Sequence, residues 1–275
     1  MSVKPGHAHY ERVLDEDAVR QFRATGFLVL RGAFDPAPLS DEIDRSLSDG
    51  LRSPEAAIKF ESVEVRYLPM MCERTPVSLS LLDAFAGPAA QLLGRPVLPM
   101  RAKGSRYIGD SAWHRDSDLD VPSIGFVAYL ESLDGGNGAL RVQPGSHRDA
   151  SAELPSDVEG RGSIAHTETL ETEAGDVIAF DEHLAHGSVG GEIRPQWRVD
   201  FVADPADDYE EALVRSYFSR LFQADWDCGY DVDRYPNYDP HWRKRGRPWT
   251  ERLRELGAYD LADAQEDAVR AQRLA

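Results

Sequence analysis

The chain contains 275 residues, of which 41% are hydrophobic and 29% charged, and its formal net charge is −17. This composition predicts a folded globular protein, and the negative charge argues against binding to nucleic acid or to an anionic membrane surface. Because no apolar run approaches the roughly 20 residues of a membrane span and the start lacks an apolar signal segment, we expect a cytoplasmic protein without a membrane partner.

Residues 1–96 have a pattern typical of helices with one strand among them. Acidic cap residues ahead of apolar residues at helical spacing predict helix starts, and glycines predict helix ends. The elements predicted for this part are a helix from an Asp15 cap to Gly26, a strand over 27–30, a helix from an Asp35 cap to Gly50, and an apolar segment over 79–93 that Gly87 and Pro88 interrupt. We interpret this part as helical support for the rest of the chain.

From about 97 to 204, short β-rich runs alternate with turns that contain glycine and proline. Runs at this spacing, without regular helices between them, favour an antiparallel barrel or jelly roll over a parallel α/β sheet. The predicted strands are 97–100, 105–108, 124–130, 139–142, 167–170, 177–180 and 198–203. The fold class is therefore mainly β with helices (α+β), in a single domain over residues 1–275.

Residues 205–275 form an extension with a charged, helix-prone pattern. Its aromatic stretch could cover the barrel mouth, form a dimer contact, or belong to helices packed over the outside of the barrel. The aromatic residues are Trp226, Tyr230, Tyr235, Tyr238, Trp242 and Trp249. The sequence leaves these alternatives open, and both a monomer and a homodimer agree with it.

The strongest chemical motif is the sequence from Trp113 to Asp116, which contains His114 two residues before Asp116. On an extended strand these two side chains point to the same face and can present a nitrogen and an oxygen to one metal ion. Two histidines and one carboxylate form the facial triad of non-haem Fe(II) oxygenases. Because the motif alone is common by chance, a second histidine is needed.

The candidates for the second histidine follow the predicted strand 177–180. His183 and His186 are three residues apart, so they cannot both face the same way on a strand. We favour His186, which stands where an apolar run gives way to glycine, and interpret His183 as exposed among acids. His147 belongs to a proline-glycine turn, and we interpret it as structural or as a residue that supports the metal ligands.

Arg198 begins the predicted strand 198–203, on the same face as Asp200. A guanidinium that faces the interior of a barrel is costly without an anion, and a cosubstrate carboxylate could satisfy it through a bidentate contact. The alternative is a surface ion pair between Arg198 and Asp200 or a glutamate.

The order of these motifs resembles the phytanoyl-CoA dioxygenase family of Fe(II)/2-oxoglutarate-dependent oxygenases. The order is far more specific than any single motif, and it extends over about residues 15–204. The matching motifs are Phe22 and Gly26 with the strand after them, His114-x-Asp116, the segment 138–147 that ends at His147, the run 174–180, His186 with Ser188, and Arg198.

The resemblance implies a double-stranded β-helix (jelly roll) core with His114, Asp116 and His186 as the iron ligands. It further implies that Arg198, assisted by Ser188, binds the distal carboxylate of 2-oxoglutarate. The cofactors and cosubstrates implied are Fe(II), 2-oxoglutarate and O2.

The chain departs from the family pattern after His186. It has Gly190-Gly191 where family members commonly have an asparagine, and it offers a second arginine, Arg194, eight residues after His186. We favour Arg198 as the cosubstrate arginine because it opens an apolar alternating strand, whereas Arg194 directly precedes a proline.

The resemblance implies hydroxylation, or another oxidation, of an unactivated C–H bond. Residues 149–182 hold ten acids against one arginine, which favours a small polar, amino-bearing metabolite of natural-product biosynthesis over an acyl-CoA. Asp200 and Trp113 are the expected substrate contacts. The alternatives are an inactive jelly-roll binding module and a cupin-like isomerase or hydrolase that uses another metal.

Overall fold

A computed structural model describes most of the chain. The described residues are 13–53, 56–60, 63–149, 151, 153–155, 166–223, 229–244 and 246–274. Trp226, which belongs to the predicted aromatic stretch, and the N-terminal histidines lie outside them. No helix in the described part is long and apolar enough to cross a bilayer.

Eleven strands in the described part form two antiparallel sheets. The strands are β1 (Phe27–Leu30), β2 (Ile58–Phe60), β3 (Val63–Pro69), β4 (Val97–Gly109), β5 (Ser111–His114), β6 (Ser123–Tyr129), β7 (Asn137–Val142), β8 (Glu168–Leu170), β9 (Val177–Asp181), β10 (His186–Gly190) and β11 (Ile193–Ala203). The larger sheet has the order β1-β9-β6-β11-β4-β3-β2, and the smaller has the order β5-β10-β7-β8. The mixed α+β architecture with a jelly-roll core confirms the predicted fold class.

Seven helices flank the sheets at both ends of the described chain. They are α1 (Glu16–Thr25), α2 (Pro36–Gly50), α3 (Pro76–Leu93), α4 (Asp208–Leu221), α5 (Pro240–Arg243), α6 (Pro248–Glu255) and α7 (Ala258–Leu274). The two predicted N-terminal caps are confirmed, since Asp15 accepts a hydrogen bond from Ala18 N and Asp35 accepts one from Ala37 N. Gly26 ends α1 with φ +86°, the left-handed conformation that favours glycine.

Three of the predicted strands are shorter than the strands that the structure contains. The predicted strands 97–100 and 105–108 are one continuous strand, β4, because the polar residues between them alternate and face the interior. Likewise β11 begins at Ile193 rather than at Arg198. Pro195 is accommodated there, and its carbonyl accepts a hydrogen bond from Leu130 N at 3.1 Å. Arg194 therefore lies at the start of this strand and Arg198 in its middle.

The N-terminal region contains more β-structure than predicted. β2 and β3 form a hairpin whose second strand pairs with β4, so they extend the larger sheet. The predicted interruption of the third helix is wrong, because α3 continues through Pro88 with its apolar side buried. Packing against the sheet outweighs the local preference there.

The aromatic residues of the C-terminal extension pack on the outside of the barrel. Tyr235, Tyr238 and Trp242 are at most 3% exposed and belong to the main hydrophobic core. That core extends from Leu14 to Val269, and on this basis we propose that the chain forms one domain. A cytoplasmic location and a monomeric or homodimeric state stay predictions.

A buried carboxylate connects α2 to the start of α3. Glu42 is fully buried, and its two oxygens accept hydrogen bonds from the backbone nitrogens of Val77 and Ser78 at 2.8 Å each. Thr75, the residue before α3, makes no side-chain cap. Glu42 thus takes the place of a local cap and fixes α3 against the sheet.

We expect Glu42→Ala to lower the free energy of unfolding by about 2–4 kcal/mol, because two buried N–H groups lose their acceptors. Denaturant unfolding measures this loss. Substitution of its exposed neighbour, Asp41→Ala, provides the matched control and should change stability by less than about 0.5 kcal/mol. Equal effects of the two substitutions would contradict the capping role.

Candidate metal centre

Two histidines and one aspartate converge where β5 meets β10. His114 is the last residue of β5 and pairs directly with His186, the first residue of β10. Asp116 follows in the loop, with its two carboxylate oxygens 3.5 Å from His114 Nε2 and 3.5 Å from His186 Nε2. One ligand atom from each residue lies within 4.8 Å of the others.

Backbone carbonyls orient both imidazole rings. His114 Nδ1 lies 2.7 Å from the carbonyl oxygen of Ala112, and His186 Nδ1 lies 2.9 Å from that of Leu184. A proton on each Nδ1 satisfies these contacts and leaves Nε2 with its lone pair directed toward Asp116. Two neutral imidazoles and one carboxylate are the donor set of non-haem Fe(II) sites, so these residues fit that metal.

Burial and charge favour the ligating forms of these groups. Burial lowers the pKa of His186 to about 4, so its ring is neutral at neutral pH. Burial alone would raise the pKa of Asp116, but Arg198 and the two histidines outweigh it and hold this pKa well below its ordinary value. The carboxylate is therefore ionised and ready to bind a cation.

Arg198 lies beside these ligands and forms ion pairs with three acidic side chains. Its Nη1 is 2.8 Å from Asp116 Oδ2, its Nη2 is 3.0 Å from Glu182 Oε1, and its Nε is 2.5 Å from Asp200 Oδ1. The sequence-based alternative of an Arg198–Asp200 pair is thus present, but buried rather than on the surface. Burial raises the pKa of Glu182 to about 7, with Asp200 adding to it and Arg198 opposing it.

Arg194 is 2% exposed and lies on the same face of β11 as Arg198, four residues earlier and near the start of the strand. Its Nη1 donates to Ser188 Oγ at 2.6 Å and to the carbonyl of Gly138 at 3.0 Å, and its Nη2 donates to the carbonyl of Gly109. No carboxylate of the described residues forms an ion pair with it, and its Nε has no acceptor there. A buried guanidinium held only by neutral groups is a site for an anion.

A tight turn from the smaller sheet to the larger one brings Arg194 to Ser188. Gly190 and Gly191 have φ of +78° and +91° and form the turn between β10 and β11. Gly138 faces the arginine so closely that a Cβ there would lie 2.5 Å from Arg194 Cδ. The two glycines at the departure from the family pattern therefore form a tight connection, after which Arg194 lies beside Ser188.

All these side chains line one cavity of about 150 Å³. β4 adds further polar residues from the wall beside β11, and α4 of the C-terminal extension covers the mouth with two side chains. The additional residues are Arg101, Lys103, Tyr107, Tyr217 and Leu221. Tyr217 donates a hydrogen bond to Glu182 at 2.5 Å. The contact between Glu182 and Tyr217 has no local signal in the sequence, because it depends on how α4 crosses the barrel.

Three other predicted residues lie outside this cavity. Trp113 is 7% exposed and does not line the cavity, since on β5 it points away from His114, and its predicted substrate contact is therefore not seen. His183 is not exposed as expected but half-buried, with its ring against Asp181 and the carbonyl of Leu119. His147 packs against Gly26, in agreement with its structural interpretation.

The segment 149–182 contributes one acidic residue to the cavity within its described part, Glu182. Other acids of the segment have structural partners. Asp176, for example, accepts hydrogen bonds from Arg31 and from the backbone of Gly32. The segment therefore offers little support for attraction of a cationic substrate.

A family model for phytanoyl-CoA dioxygenase (PhyH) matches residues 4–192. The matched part includes His114, Asp116 and His186 and ends just before Arg194. No curated protein matches the chain.

Several solved structures share the fold. The non-heme alpha ketoglutarate dependent carbocyclase SnoK from nogalamycin biosynthesis is 15% identical, with a TM-score of 0.57 over 72% of this chain and 87% of that one. AviO1 from Streptomyces viridochromogenes Tue57 is 24% identical, with a TM-score of 0.54 over 71% and 97%. HygX from Streptomyces hygroscopicus, with nickel and 2-oxoglutarate bound, is 18% identical, with a TM-score of 0.55 over 70% and 88%.

The raised pKa of Glu182 gives a pH dependence of stability in the metal-free protein. Between pH 4.5 and about 7 the unfolded carboxyl loses its proton while the folded one keeps it, so stability falls as pH rises through this range. We expect Glu182→Gln to reduce that fall in urea unfolding at a series of pH values. Glu171→Gln, at an exposed position, should follow the wild type, and a wild-type slope in Glu182→Gln would contradict this assignment.

Proposed function

The chain belongs to the phytanoyl-CoA dioxygenase family of Fe(II)/2-oxoglutarate-dependent oxygenases, and from this premise we propose that it hydroxylates a C–H bond of a small polar molecule. The observation that carries the proposal is the presence, in one cavity, of a His-Asp-His cluster and a buried arginine that has no acid partner among the described residues. The first suits Fe(II), and the second suits an anionic cosubstrate.

The proposed metal ligands are His114 Nε2, a carboxylate oxygen of Asp116 and His186 Nε2. His114 stands at the cavity rim with its side chain 43% exposed, whereas the side chain of His186 is 5% exposed. The loop that carries Asp116 is held by two hydrogen bonds to the carbonyl of Glu182, from Asp116 N and Ser117 N at 2.9 and 3.1 Å. These contacts would keep the carboxylate in place as the ion enters.

Arg194 with Ser188 is the better candidate for the distal carboxylate of 2-oxoglutarate. Arg198, the arginine favoured by the sequence pattern, already has three acidic partners and contacts a proposed metal ligand. The Nε–H of Arg194 has no acceptor among the described residues, and the hydroxyl of Ser188 lies beside its Nη1. A carboxylate placed there would receive bonds from both a guanidinium and a hydroxyl.

When bound, iron with 2-oxoglutarate and O2 supplies an oxidant that removes hydrogen from a substrate C–H bond, with succinate and CO2 as coproducts. The chain's own residues bind and orient the reactants. Arg194 and Ser188 would fix the cosubstrate at the inner end of the cavity, and Tyr217 and Leu221 of α4 restrict access of water from the mouth. Substrate at that mouth would lie beside the metal ligands.

The other sequence-based alternatives have less support. An inactive binding module would not need to retain all three ligands and the buried arginine. A cupin-like isomerase or hydrolase would have no use for the Arg194–Ser188 pair. The presence of Asp116 also separates this chain from halogenases, in which a small residue replaces the metal carboxylate.

The proposed function predicts a visible charge-transfer band when Fe(II) and 2-oxoglutarate are added to the protein without oxygen, and succinate after O2 is admitted. Asp116→Ala should lose both signals, because the ion loses its charged ligand. Asp118→Ala, two residues along the same loop, serves as the matched control. No band and no succinate with the wild-type protein would refute the proposal.

Arg194→Met should raise the dissociation constant for 2-oxoglutarate by about 10- to 100-fold, since it removes a charge-assisted contact. Metal affinity, measured by calorimetry without cosubstrate, should change little. If Arg198→Met weakens 2-oxoglutarate binding more than Arg194→Met does, the assignment reverts to Arg198.

A further inference from the structure

We propose that the mouth of the cavity is a substrate subsite in which Lys103 and Arg101 bind a single carboxylate group. This inference rests on the proposed function and adds the chemical class of the substrate. It replaces the amino-bearing substrate that the acidic segment suggested.

The two cations stand side by side on the interior face of β4. In the register with β11, Lys103 lies opposite Arg198 and Arg101 lies opposite Asp200, while Tyr107 lies opposite Arg194. Four residues of antiparallel strand therefore separate Lys103 from the proposed cosubstrate arginine, a distance of about 13 Å. An anion held by Lys103 is thus a different group from the one held by Arg194.

Lys103 is a buried cation without an anionic partner in the described part of the chain. It is 8% exposed and lines the cavity, and its ammonium group has no carboxylate or hydrogen-bond acceptor in the described part of the chain. Its Nζ lies over the ring of Tyr67, 5.8 Å from the ring centroid. Burial, together with the charges of Arg101 and Arg198, lowers the pKa of Lys103 to about 7. An anion would restore its charged form.

Arg101 is also incompletely paired. Its Nη2 is 3.8 Å from Asp200 Oδ2, beyond hydrogen-bond distance, because Asp200 points its other oxygen at Arg198. The Nε of Arg101 is buried without an acceptor among the residues the structure describes. Arg101 and Lys103 therefore both have N–H groups that can donate hydrogen bonds to a ligand.

The positive charges at the mouth outnumber the negative ones once Asp116 binds the metal ion. Counted in their ionised forms, three cations then remain with two carboxylates, Glu182 and Asp200 (the cations are Arg101, Lys103 and Arg198). The charges of 2-oxoglutarate are already balanced at the ion and at Arg194 in the proposed function. One negative charge from the substrate would neutralise the mouth, whereas an amine would add to the excess.

This balance selects a carboxylate. A phosphate carries up to two negative charges and would leave the mouth with the opposite excess, and a primary amine has no unengaged carboxylate to bind. The cavity of about 150 Å³ has room for the acid group and adjoining atoms of the substrate, and the remainder would extend past Tyr217 and Leu221.

Acetate is the minimal probe for the subsite. The protein is loaded with Fe(II) and 2-oxoglutarate without oxygen, and acetate, acetamide, ethylammonium and inorganic phosphate are titrated separately by calorimetry. We expect acetate to bind saturably, and the other three to bind at least about tenfold more weakly. Lys103→Met should weaken acetate binding by about tenfold or more, and Lys103→Arg should retain most of it.

Lys59→Met, which removes an exposed lysine on β2, is the matched control and should bind acetate as the wild type does. Thermal unfolding of each variant verifies that it is folded. The subsite is refuted if acetate does not bind, if acetamide binds equally well, or if Lys103→Met binds acetate with wild-type affinity. Tighter binding of phosphate than of acetate would refute the carboxylate assignment.

The same titrations separate this inference from the proposed function. If Fe(II) and 2-oxoglutarate fail to bind the wild-type protein, the proposed function fails. If they bind but acetate does not bind, only the proposed substrate subsite is refuted.

Discussion

The antiparallel pairing of His114 with His186 is the constraint on which the candidate site depends. It joins the end of β5 to the start of β10 and sets the two ring centroids 4.3 Å apart. Asp116 reaches the same point because the loop after β5 hydrogen-bonds to the backbone of Glu182. Residues far apart in sequence thus form one donor set through backbone contacts.

The interior of the barrel carries an unusual number of buried charges, and their pairing explains its organisation. Arg198 contacts three acids, and in the proposed arrangement it therefore organises the cavity and does not bind the cosubstrate. Arg194 and Lys103 lie at opposite ends of the cavity. Neither has an acid partner among the described residues. Because an isolated buried charge is costly, these two positions are where anionic ligands gain most. The inner position suits the cosubstrate and the mouth suits the substrate.

Local sequence signals predicted the features that depend on local chemistry. The caps of α1 and α2 and most strands followed from spacing and turn residues, whereas the His-Asp-His set followed from the order of motifs that resembles the family. The extent of β4 and β11 did not, because Lys103 and Arg194 are polar residues that face an interior, whereas strand patterns are recognised from apolar ones. The choice between Arg194 and Arg198 depends on their tertiary contacts, which are a hydroxyl and backbone carbonyls for Arg194 and three acids for Arg198. Tyr217 required the tertiary position of α4, for which the sequence holds no local signal.

A crystal structure of the protein with Fe(II) and 2-oxoglutarate, prepared without oxygen, tests the central claim most directly. Electron density should show one ion in contact with His114 Nε2, Asp116 and His186 Nε2, and the distal carboxylate between Arg194 and Ser188. An ion bound elsewhere, or a distal carboxylate held by Arg198 after release of its acidic partners, would contradict the proposed organisation of the cavity.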